Sequence, residues 1–430
     1  MKTIKLYTLG CKVNQYDTQA IRERIITSGY REIAANVKTR ADVCLINTCT
    51  VTHHADADSL NLVRRADKEN PGAKIVVTGC LAELDRNKIK AACAKSLIVS
   101  NRDKAAIAGI LGRVKTGSND FAISGFSGHT RAFLKIQDGC DNFCSYCKVP
   151  LVRGRSKSKP IKQIIGEARR LIHKGFKEIV LTGICLGAYG KDLSPRLSLA
   201  DVLTELEELT GNFRIRLSSI EAGDISAKLL DIIAGSNVVC PHLHIPLQSG
   251  DNKVLKSMNR KYSANRYLKL IKKIKEQIPG ASLTTDVLIG FPGEDSRSFG
   301  NTMRLVKEIM PLRVHSFPYS PREGTVACRL ANAAAAAVVK ERMRQMAGIA
   351  EKASLAYRSR FIGKQAVVLF EARCKDDPRC WEGYTEHYIK VRLKSGNDLK
   401  NRFACVTLKE SSADFVYAGK TKPCTKVLTK

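Results

Sequence analysis

The amino-acid sequence predicts an α/β fold in three parts: an N-terminal open parallel α/β sheet domain, a central (βα)6 partial barrel and a small C-terminal β-barrel. Three observations predict it. Short apolar runs alternate with helical patterns through residues 3–317. An alanine-rich segment with high helix propensity follows at 332–360. Residues 361–430 instead carry short β-rich runs separated by turns, which is typical of a small β-barrel.

The first part of the chain has the βαβ order that produces a parallel sheet with helices on its faces. Apolar runs predict strands at 3–9, 42–47 and 74–78, and helical patterns lie near 15–27, 55–69 and 84–94. Residues 115–130 are rich in glycine and serine, as linkers are. We therefore expect the first domain at residues 1–116.

The alternation restarts after the linker and predicts about six βα units. Candidate strands are 132–137, 178–182, 214–218, 242–247, 282–288 and 313–317, and the clearest helical patterns are 161–173, 199–209 and 266–277. Such units build a partial or complete barrel, whose chemistry belongs at the carboxyl ends of its strands. With the alanine-rich segment as a connecting helix, this domain is expected at 130–360. The β-barrel is expected at 361–430, with strands at 365–370, 387–393 and 403–408.

The charge balance of the chain is strongly basic. Lysine and arginine (72) outnumber aspartate and glutamate (41), which gives a formal net charge of +31. Such an excess favours a polyanionic partner, nucleic acid first and an anionic membrane surface second. No run of ~18 apolar residues is present to span a membrane, so we expect a cytoplasmic protein. The 15 cysteines are an odd number, which in a reducing compartment indicates metal ligands or catalytic groups rather than a disulfide framework.

The strongest motif is a CxxxCxxC loop directly after a predicted strand, formed by Cys140, Cys144 and Cys147. Three thiolates at this spacing can hold three corners of an iron–sulfur cube. The fourth iron is then left without a protein ligand, and an open metal position is typical of a catalytic site. The alternative is a zinc knuckle that takes Cys185 or a histidine as its fourth ligand.

A second set of three cysteines is spread along the first domain. Cys11, Cys49 and Cys80 each follow the end of a predicted strand, and in a parallel sheet these ends share one edge. The three thiols are therefore expected to meet as a second incomplete ligand set. The alternative is three small buried cysteines packed as apolar residues. Cys44 and Cys93 fall inside a predicted strand and helix and are expected in the core.

Several segments together resemble one family. The segments TLGCKVNQYDT, LINTCTVT, VTGCLAE and QDGCDNFCSYCKVP are similar to the radical S-adenosylmethionine methylthiotransferases, and the similarity spans nearly the whole chain. It implies a radical-SAM partial barrel whose 4Fe–4S cluster, on the CxxxCxxC loop, cleaves S-adenosylmethionine to a 5′-deoxyadenosyl radical. It also implies a second 4Fe–4S cluster on the N-terminal cysteines that delivers sulfur, and a C-terminal TRAM-like domain that binds RNA.

The same resemblance implies contacts to S-adenosylmethionine. Tyr146 is expected near the adenine, and the backbone at Thr182 and Gly183 near the amino group. Glu221 and Gln248 are expected to bind other polar parts of the cosubstrate. Each of these residues also has an ordinary structural explanation as a packing residue, a loop cap or a surface polar group.

The run GCKVNQYD at 10–17 resembles the branch that adds a methylthio group to C2 of N6-threonylcarbamoyladenosine next to the tRNA anticodon. The implied partners are tRNA and a low-potential electron donor such as flavodoxin or ferredoxin. Three alternatives remain: isopentenyladenosine as the target, a ribosomal-protein aspartate as the target, or a basic iron–sulfur or zinc protein that only binds RNA. Lys148, Leu151 and Cys185 depart from the usual family pattern and affect the finer substrate contacts.

Two basic or aromatic groups of residues are predicted to contact RNA. The first is a run beside the cluster loop, and the second lies on the candidate strands of the last domain, where aromatic rings could stack on unpaired bases. Their members are Arg153, Arg155, Lys157 and Lys159 in the first group, and Tyr384, His387, Tyr388, Lys390, Arg392, Lys394, Lys400 and Arg402 in the second. The alternative for both groups is an ordinary solvated surface.

Overall fold

The parallel sheets and the terminal barrel that the sequence predicts are both present in the computed structural model, which describes residues 1–112 and 121–420. The predicted α/β class is confirmed. The predicted domain boundary at 116 and the linker residues 115–120 lie outside the described residues, as do residues 421–430.

The first part is a five-stranded sheet whose strand pairs are all parallel. Its elements are β1 Thr3–Thr8, α1 Lys12–Thr27, β2 Arg31–Glu32, β3 Val43–Thr48, α2 His53–Glu69, β4 Lys74–Gly79, α3 Cys80–Leu84, α4 Arg86–Ala92, β5 Leu97–Ile98 and α5 Ile107–Ile110. The strand order is β2-β1-β3-β4-β5, which reverses direction between β1 and β3. Ligands bind at such reversal points, outside the carboxyl ends of the strands.

The helix predicted at 84–94 is two helices. Asp85 leaves the helical region at φ −146° and ψ 82°, and its side chain accepts a hydrogen bond from the backbone of Lys88. It therefore ends α3 and begins α4, as aspartate commonly does at a helix N-terminus. Cys93 follows α4 instead of lying inside it, and both Cys93 and Cys44 are buried in the core.

The central part is a partial barrel of six parallel strands. Its elements are β6 Arg131–Lys135, β7 Gln137–Asp138, α6 Val149–Arg153, β8 Lys157–Ser158, α7 Ile161–His173, β9 Glu178–Thr182, α8 Leu199–Glu207, β10 Arg214–Leu217, α9 Ala227–Gly235, β11 His242–His244, α10 Asn252–Ser257, α11 Ala264–Gln277, β12 Ser282–Ile289, α12 Ser296–Ile309, β13 Arg313–Pro318 and α13 Ala336–Ser359. Two three-stranded sheets, β10-β9-β6 and β11-β12-β13, are joined by parallel bridges between β10 and the β11 segment. In the described residues no pairing joins β6 to β13, so the barrel is open.

The C-terminal part is a closed barrel with strand order β14-β15-β16-β18-β17. Its strands are β14 Gln365–Arg373, β15 Cys380–Thr385, β16 Lys390–Lys394, β17 Arg402–Ser411 and β18 Val416–Lys420. The sequence did not predict β15 or β18. The β15 segment contains Gly383, and a Cβ there would lie 2.2 Å from the carbonyl oxygen of Leu369. The glycine that weakens the strand pattern is thus required by close packing against β14.

The closed barrel packs against the amino ends of the partial-barrel strands. Arg214 donates to the carbonyl oxygen of Tyr384 at 2.9 Å, and the Tyr388 ring stacks on His242 with centroids 4.7 Å apart. His387 packs on the ring of Phe361. Tyr384, His387 and Tyr388 are each partly buried at this interface, and their stacking on RNA bases stays a prediction.

Buried charges hold this interface together. Glu178, at the start of β9, is fully buried and accepts hydrogen bonds from Arg214 at 2.6 Å and from Arg216 at 2.8 Å. Burial opposes ionisation of the carboxyl group, but Arg216 and Arg214 outweigh it and hold the pKa of Glu178 well below its ordinary value. Arg216 also donates to the carbonyl oxygen of Glu386 at 2.9 Å, across the interface.

Candidate active site between the two parallel sheets

One cavity of about 330 Å³ lies where the carboxyl edge of the N-terminal sheet faces the mouth of the partial barrel. It is lined from both sides: by the N-terminal cysteines, by the cluster loop and by the ends of β9 and β10. The lining residues are Cys11, Lys12, Val13, Asn14, Cys49, Thr50, Val51, Cys80, Tyr146, Cys147, Lys148, Val149, Val152, Arg153, Thr182, Gly183, Ile184, Ser218 and Ser219. The structure therefore brings together cysteines that are far apart in the sequence.

The N-terminal cysteines occupy three neighbouring strand ends. Cys11 is the N-cap residue of α1, Cys49 directly follows β3, and Cys80 begins α3. Gly10 allows the first two to approach, since at φ +92° it avoids a Cβ that would lie 2.7 Å from the sulfur of Cys49. Gly79 has a similar role before Cys80, because at φ +100° its Cβ would lie 2.4 Å from the carbonyl oxygen of Thr48.

These thiols are close enough to oppose one another's ionisation. Burial raises the pKa of Cys49 to about 11, and the thiols of Cys80 and Cys11 raise it further against the backbone hydrogen bonds that lower it. Burial also raises the pKa of Cys80, while Arg153 acts against that effect. A cationic metal centre would convert all three to thiolates, because thiolate is the form that binds iron.

Each cysteine of the second motif has a hydrogen-bond donor at its sulfur. The backbone N–H groups of Asn142 and Val149 donate to Cys140 at 3.5 Å and to Cys147 at 3.4 Å. The third sulfur, that of Cys144, accepts from the guanidinium of Arg260 at 3.4 Å. Donors of this kind stabilise thiolates and tune the cluster that they hold.

Cys185 lies beside this motif and acts on it. A hydrogen bond from Cys185 holds the pKa of Cys140 below its ordinary value. The Cys185 sulfur also accepts from the side-chain amide of Asn142 at 3.6 Å, and its backbone N–H donates to Gln137 at 2.9 Å. These three hydrogen bonds explain how a cysteine fits the position where the family pattern has another polar residue.

The two donor sets fit two iron–sulfur clusters by their chemistry. The three N-terminal cysteines and Cys147 line one cavity, and the second set has an N–H donor for every sulfur. Among the described residues, no three histidine, cysteine, aspartate or glutamate side chains converge on a point that would hold a single metal ion. In a cube each thiolate binds a different iron, so the sulfurs need not converge on one point.

The other predicted site residues are divided between the cavity and its surroundings. Thr182, Gly183 and Tyr146 line the cavity. Gly183 passes close to β7, since a Cβ there would lie 2.8 Å from the side-chain oxygen of Gln137. Glu221 reaches the site through Arg260, whose guanidinium donates to it at 2.5 Å. The last, Gln248, does not line the cavity and sits at φ +63°, with its backbone bonded to β12.

Arg153 is a site residue whose role the sequence did not predict. Its side chain is only 2% exposed and donates to Asp17 at 3.2 Å, to Asp138 at 2.9 Å and to Asn14. It therefore links the cluster-loop helix α6 to α1 of the N-terminal sheet. The prediction that it contacts RNA phosphate is wrong, because buried carboxylates already neutralise its charge.

Asp17 is the centre of this buried network. Besides Arg153 it accepts from Lys104 at 2.8 Å and from Lys135 at 2.5 Å. Burial opposes its ionisation, but the three cations outweigh it and hold the pKa of Asp17 well below its ordinary value. Lys159, also predicted to contact RNA, instead pairs with the buried Glu167. The position of Asp17 on the apolar face of α1 was the signal in the sequence, because a buried carboxylate needs charged partners.

A second contact holds the N-terminal sheet on the opposite side of Cys49. Arg322 follows β13 and is buried, and it donates to Thr50 Oγ1 at 2.8 Å and to Asp56 at 2.6 Å. Next to it, His53 lies 2.5 Å from the carbonyl oxygen of Pro321. The loop that carries Cys49 is thereby fixed to the last strand of the partial barrel.

Two family models match the chain. Residues 134–306 match the Radical SAM superfamily, and residues 3–100 match the Uncharacterized protein family UPF0004. The first match covers the cluster loop and the partial barrel from β6 into α12, and it ends before β13. The second covers the parallel sheet that carries the other three cysteines.

Similar proteins cover almost all of the chain. A Chlamydia pneumoniae protein named threonylcarbamoyladenosine tRNA methylthiotransferase MtaB is 39% identical over 90% of this chain and 91% of its own length. A Bacillus subtilis protein of the same name is 36% identical over 95% and 94%. A Desulfitobacterium hafniense protein named tRNA-2-methylthio-N(6)-dimethylallyladenosine synthase is 31% identical over 91% of each chain.

Solved structures share the fold at low identity. The radical S-adenosylmethionine methyltransferase TsrM from Kitasatospora setae has a TM-score of 0.55 at 11% identity, over 74% of this chain and 75% of that one. The cobalamin-dependent S-adenosylmethionine radical enzyme OxsB has a TM-score of 0.53 at 10% identity, over 81% of this chain and 56% of that one. These likenesses concern the arrangement of strands and helices alone.

Proposed function

Because this chain belongs to the radical S-adenosylmethionine methylthiotransferases, we propose that it adds a methylthio group to C2 of N6-threonylcarbamoyladenosine next to the tRNA anticodon. It is thus an enzyme, a radical SAM tRNA methylthiotransferase. The observation that carries the proposal is the shared cavity, which is lined by all three N-terminal cysteines and by Cys147 of the cluster loop. A protein that only bound RNA would need neither triad to be open.

The choice of nucleoside follows the relatives. Relatives named for threonylcarbamoyladenosine are 34% to 39% identical to this chain, and those named for dimethylallyladenosine are 31% to 34% identical. The net charge of +31 also suits an RNA substrate better than a protein side chain. We therefore rank isopentenyladenosine second and a ribosomal-protein aspartate third.

We propose that each triad holds one 4Fe–4S cluster: Cys140, Cys144 and Cys147 the one that binds S-adenosylmethionine, and Cys11, Cys49 and Cys80 the second. When bound, the first cluster supplies one-electron reduction of the sulfonium and the second supplies sulfur. The chain's own contribution is to orient the reactants and to exclude water from the site. The apolar wall of Val13, Val149 and Val152 serves the second purpose.

Several residues would position the cosubstrate. Thr182 and Gly183 would offer backbone groups to its amino group, and Tyr146 would lie near its adenine. Glu221, held by Arg260, would bind another polar part. Gln248 lies farther from the cavity, so we give it an indirect role at most.

We propose that residues 1–116 carry the sulfur-delivering cluster, that 130–360 form the radical SAM core, and that the TRAM-like barrel at 361–430 binds tRNA. The exposed Lys394, Lys400 and Arg402 remain available for phosphates. By contrast, Lys390 pairs with Glu382 and Arg392 with Asp376.

The cellular setting that we propose follows from the substrate. Across the described ranges no helix combines the length and the apolar character that a membrane crossing needs. We propose that the enzyme works in the cytoplasm on tRNA. We also propose a low-potential donor such as flavodoxin or ferredoxin as its source of electrons.

Mass spectrometry of tRNA nucleosides from a strain that lacks the gene tests the function directly. We expect the methylthio form of threonylcarbamoyladenosine to disappear and to return when the gene is restored. Loss of the methylthio form of isopentenyladenosine instead would transfer the assignment to that substrate. Persistence of both nucleosides would contradict the proposed function.

A further inference from the structure

Apart from its cysteines, the charged side chains that line the cavity are all positive. They are Lys12, Lys148 and Arg153, and the described lining includes no aspartate or glutamate. Arg153 is compensated, since it pairs with Asp17 and Asp138. Lys148 forms no ion pair within the described residues, but burial and the charge of Arg322 lower the pKa of its ammonium.

Lys12 is the more exposed of the two lining cations that have no partner among the described residues. Its ammonium has no ion pair and no hydrogen bond within residues 1–112 and 121–420, and its side chain is exposed to the cavity. Its charge reaches the inner wall of the partial barrel: burial lowers the pKa of His315 on β13, and Lys12 is among the positive groups that lower it further. Lys12 therefore lines the cavity and lies close enough to the partial barrel to act on a group of its inner wall.

The start of α1 strengthens the positive field at Lys12. This helix of 16 residues begins at Lys12, has no acidic residue in its first turn, and its N-cap residue Cys11 offers no side-chain hydrogen bond to the first amides. The N-terminus of such a helix attracts anions, because its first N–H groups are unpaired and its dipole is positive there. The lysine and the helix end thus favour the same kind of ligand.

N6-Threonylcarbamoyladenosine carries a carboxylate on its threonine, and an isopentenyl group carries no charge. We propose that Lys12, at the N-terminus of α1, binds this threonine carboxylate and so selects the acidic nucleoside over uncharged adenosine derivatives. The inference rests on the proposed function. A carboxylate that enters the cavity without a partner loses its hydration uncompensated, and the Lys12 ammonium supplies that partner.

S-Adenosylmethionine brings a second carboxylate into the same cavity, so the test has to separate the two sources. The substrates are an anticodon stem-loop with threonylcarbamoyladenosine and the same RNA with the threonine carboxylate as its methyl ester. For the wild type, esterification should lower kcat/KM by roughly tenfold to a hundredfold, because it removes one charge-assisted contact. This comparison uses only the wild-type protein, so its result does not depend on whether a variant folds.

Lys12→Met should lower kcat/KM on the acid substrate by a similar factor and leave the ester substrate unchanged. Lys12→Arg, which keeps the charge, should retain most of the preference for the acid. Binding of the free nucleoside to the protein without turnover should weaken in Lys12→Met in parallel. Cleavage of S-adenosylmethionine in the absence of RNA should keep its KM.

Four outcomes would overturn the inference. The first is equal kcat/KM of the wild type on the acid and the ester substrate, and the second is an equal loss of kcat/KM on both substrates in Lys12→Met. The third is a raised KM for S-adenosylmethionine in Lys12→Met, which would assign the lysine to the cosubstrate. The fourth is loss of the preference for the acid in Lys148→Met but not in Lys12→Met. Failure of the proposed function looks different, since the wild type would then methylthiolate neither RNA.

Discussion

Replacement of one cysteine in each triad separates the two proposed activities, sulfur insertion and cleavage of S-adenosylmethionine. Cys49→Ala removes one ligand of the N-terminal triad, so we expect cleavage of S-adenosylmethionine to continue without sulfur insertion. Reconstituted iron should fall from about eight to about four atoms per chain. Cys44→Ala is the matched control, because Cys44 is a buried cysteine of β3, the strand that Cys49 directly follows, and does not line the cavity. It should keep both iron content and product formation.

Cys144→Ala tests the other triad in the same assays. It should abolish cleavage of S-adenosylmethionine, since its sulfur is one of the three that Arg260 and the loop amides support. If Cys49→Ala stops cleavage while Cys144→Ala spares it, the assignment of the two triads is reversed.

Glu178 contributes stability that depends on pH. Because its folded pKa lies below its unfolded value of about 4.3, the contribution is fully present above that pH and is lost as the pH falls toward the folded value. Glu178→Gln should lower the free energy of unfolding at pH 7 by roughly 3–5 kcal/mol, since it leaves buried guanidinium groups unpaired. Urea unfolding should show that this deficit is constant down to about pH 5 and narrows below it.

Glu382→Gln is the control for that measurement. Glu382 forms a half-exposed pair with Lys390 on the C-terminal barrel, and such a pair contributes about 1 kcal/mol or less. A deficit of Glu178→Gln that stayed the same at pH 3 would contradict the depressed pKa.

At the scale of elements, α1 determines how the two parallel sheets face each other. Asp17→Asn leaves Arg153, Lys104 and Lys135 with a weaker partner at this interface. We expect the ratio of methylthio product to S-adenosylmethionine cleaved to fall severalfold, and thermal stability to fall as well. Liquid chromatography of both products in one reaction measures the ratio.

Glu32→Gln is the matched control for Asp17→Asn, because it breaks the surface pair with Arg22 on the same helix. It should leave the ratio unchanged. An unchanged ratio in Asp17→Asn, with normal iron content, would show that the buried network does not align the two triads.

The elements that the sequence predicted well are those whose ends and apolar faces are determined by neighbouring residues in the sequence. Helix α7 and strand β9 have the predicted bounds, since both are bounded by turn residues and have a regular apolar face. Strand β11 is shorter than predicted, because Pro246 and the positive φ of Gln248 interrupt it. In the C-terminal barrel, β18 was not predicted, because its five residues are too few to show a clear alternation of apolar and polar side chains.

Cys11, Cys49 and Cys80 could be predicted to meet because strand ends in a parallel sheet share one edge, and the other three cysteines were predicted from their CxxxCxxC spacing. Arg153, Arg260 and Arg322 could not be, since each acquires its role from partners more than a hundred residues away or on another sheet. Their charge suggested solvent or RNA, and only the packed structure supplies the carboxylates and thiols that they contact.

At the scale of the whole molecule, much of the positive charge is committed to internal interfaces, and a smaller exposed set remains for RNA. Replacement of both Lys394 and Lys400 with methionine should weaken tRNA binding and reduce the slope of log K against log salt by about 1.4 to 1.8. Lys390→Met is the control, since this lysine already pairs with Glu382. Equal slopes for the wild type and the double variant would place the RNA elsewhere.

The first turn and a half of α1 fixes both the distance and the angle about the helix axis between the residues that it carries. Along this stretch follow Cys11, which we propose as a ligand of the sulfur-delivering cluster, Lys12, which we propose to bind the substrate carboxylate, and Asn14 and Asp17, which contact Arg153. A single inserted residue between Cys11 and Asp17 would rotate one group against the other by about 100°. We infer that this stretch tolerates changes of side chain far better than any change of length.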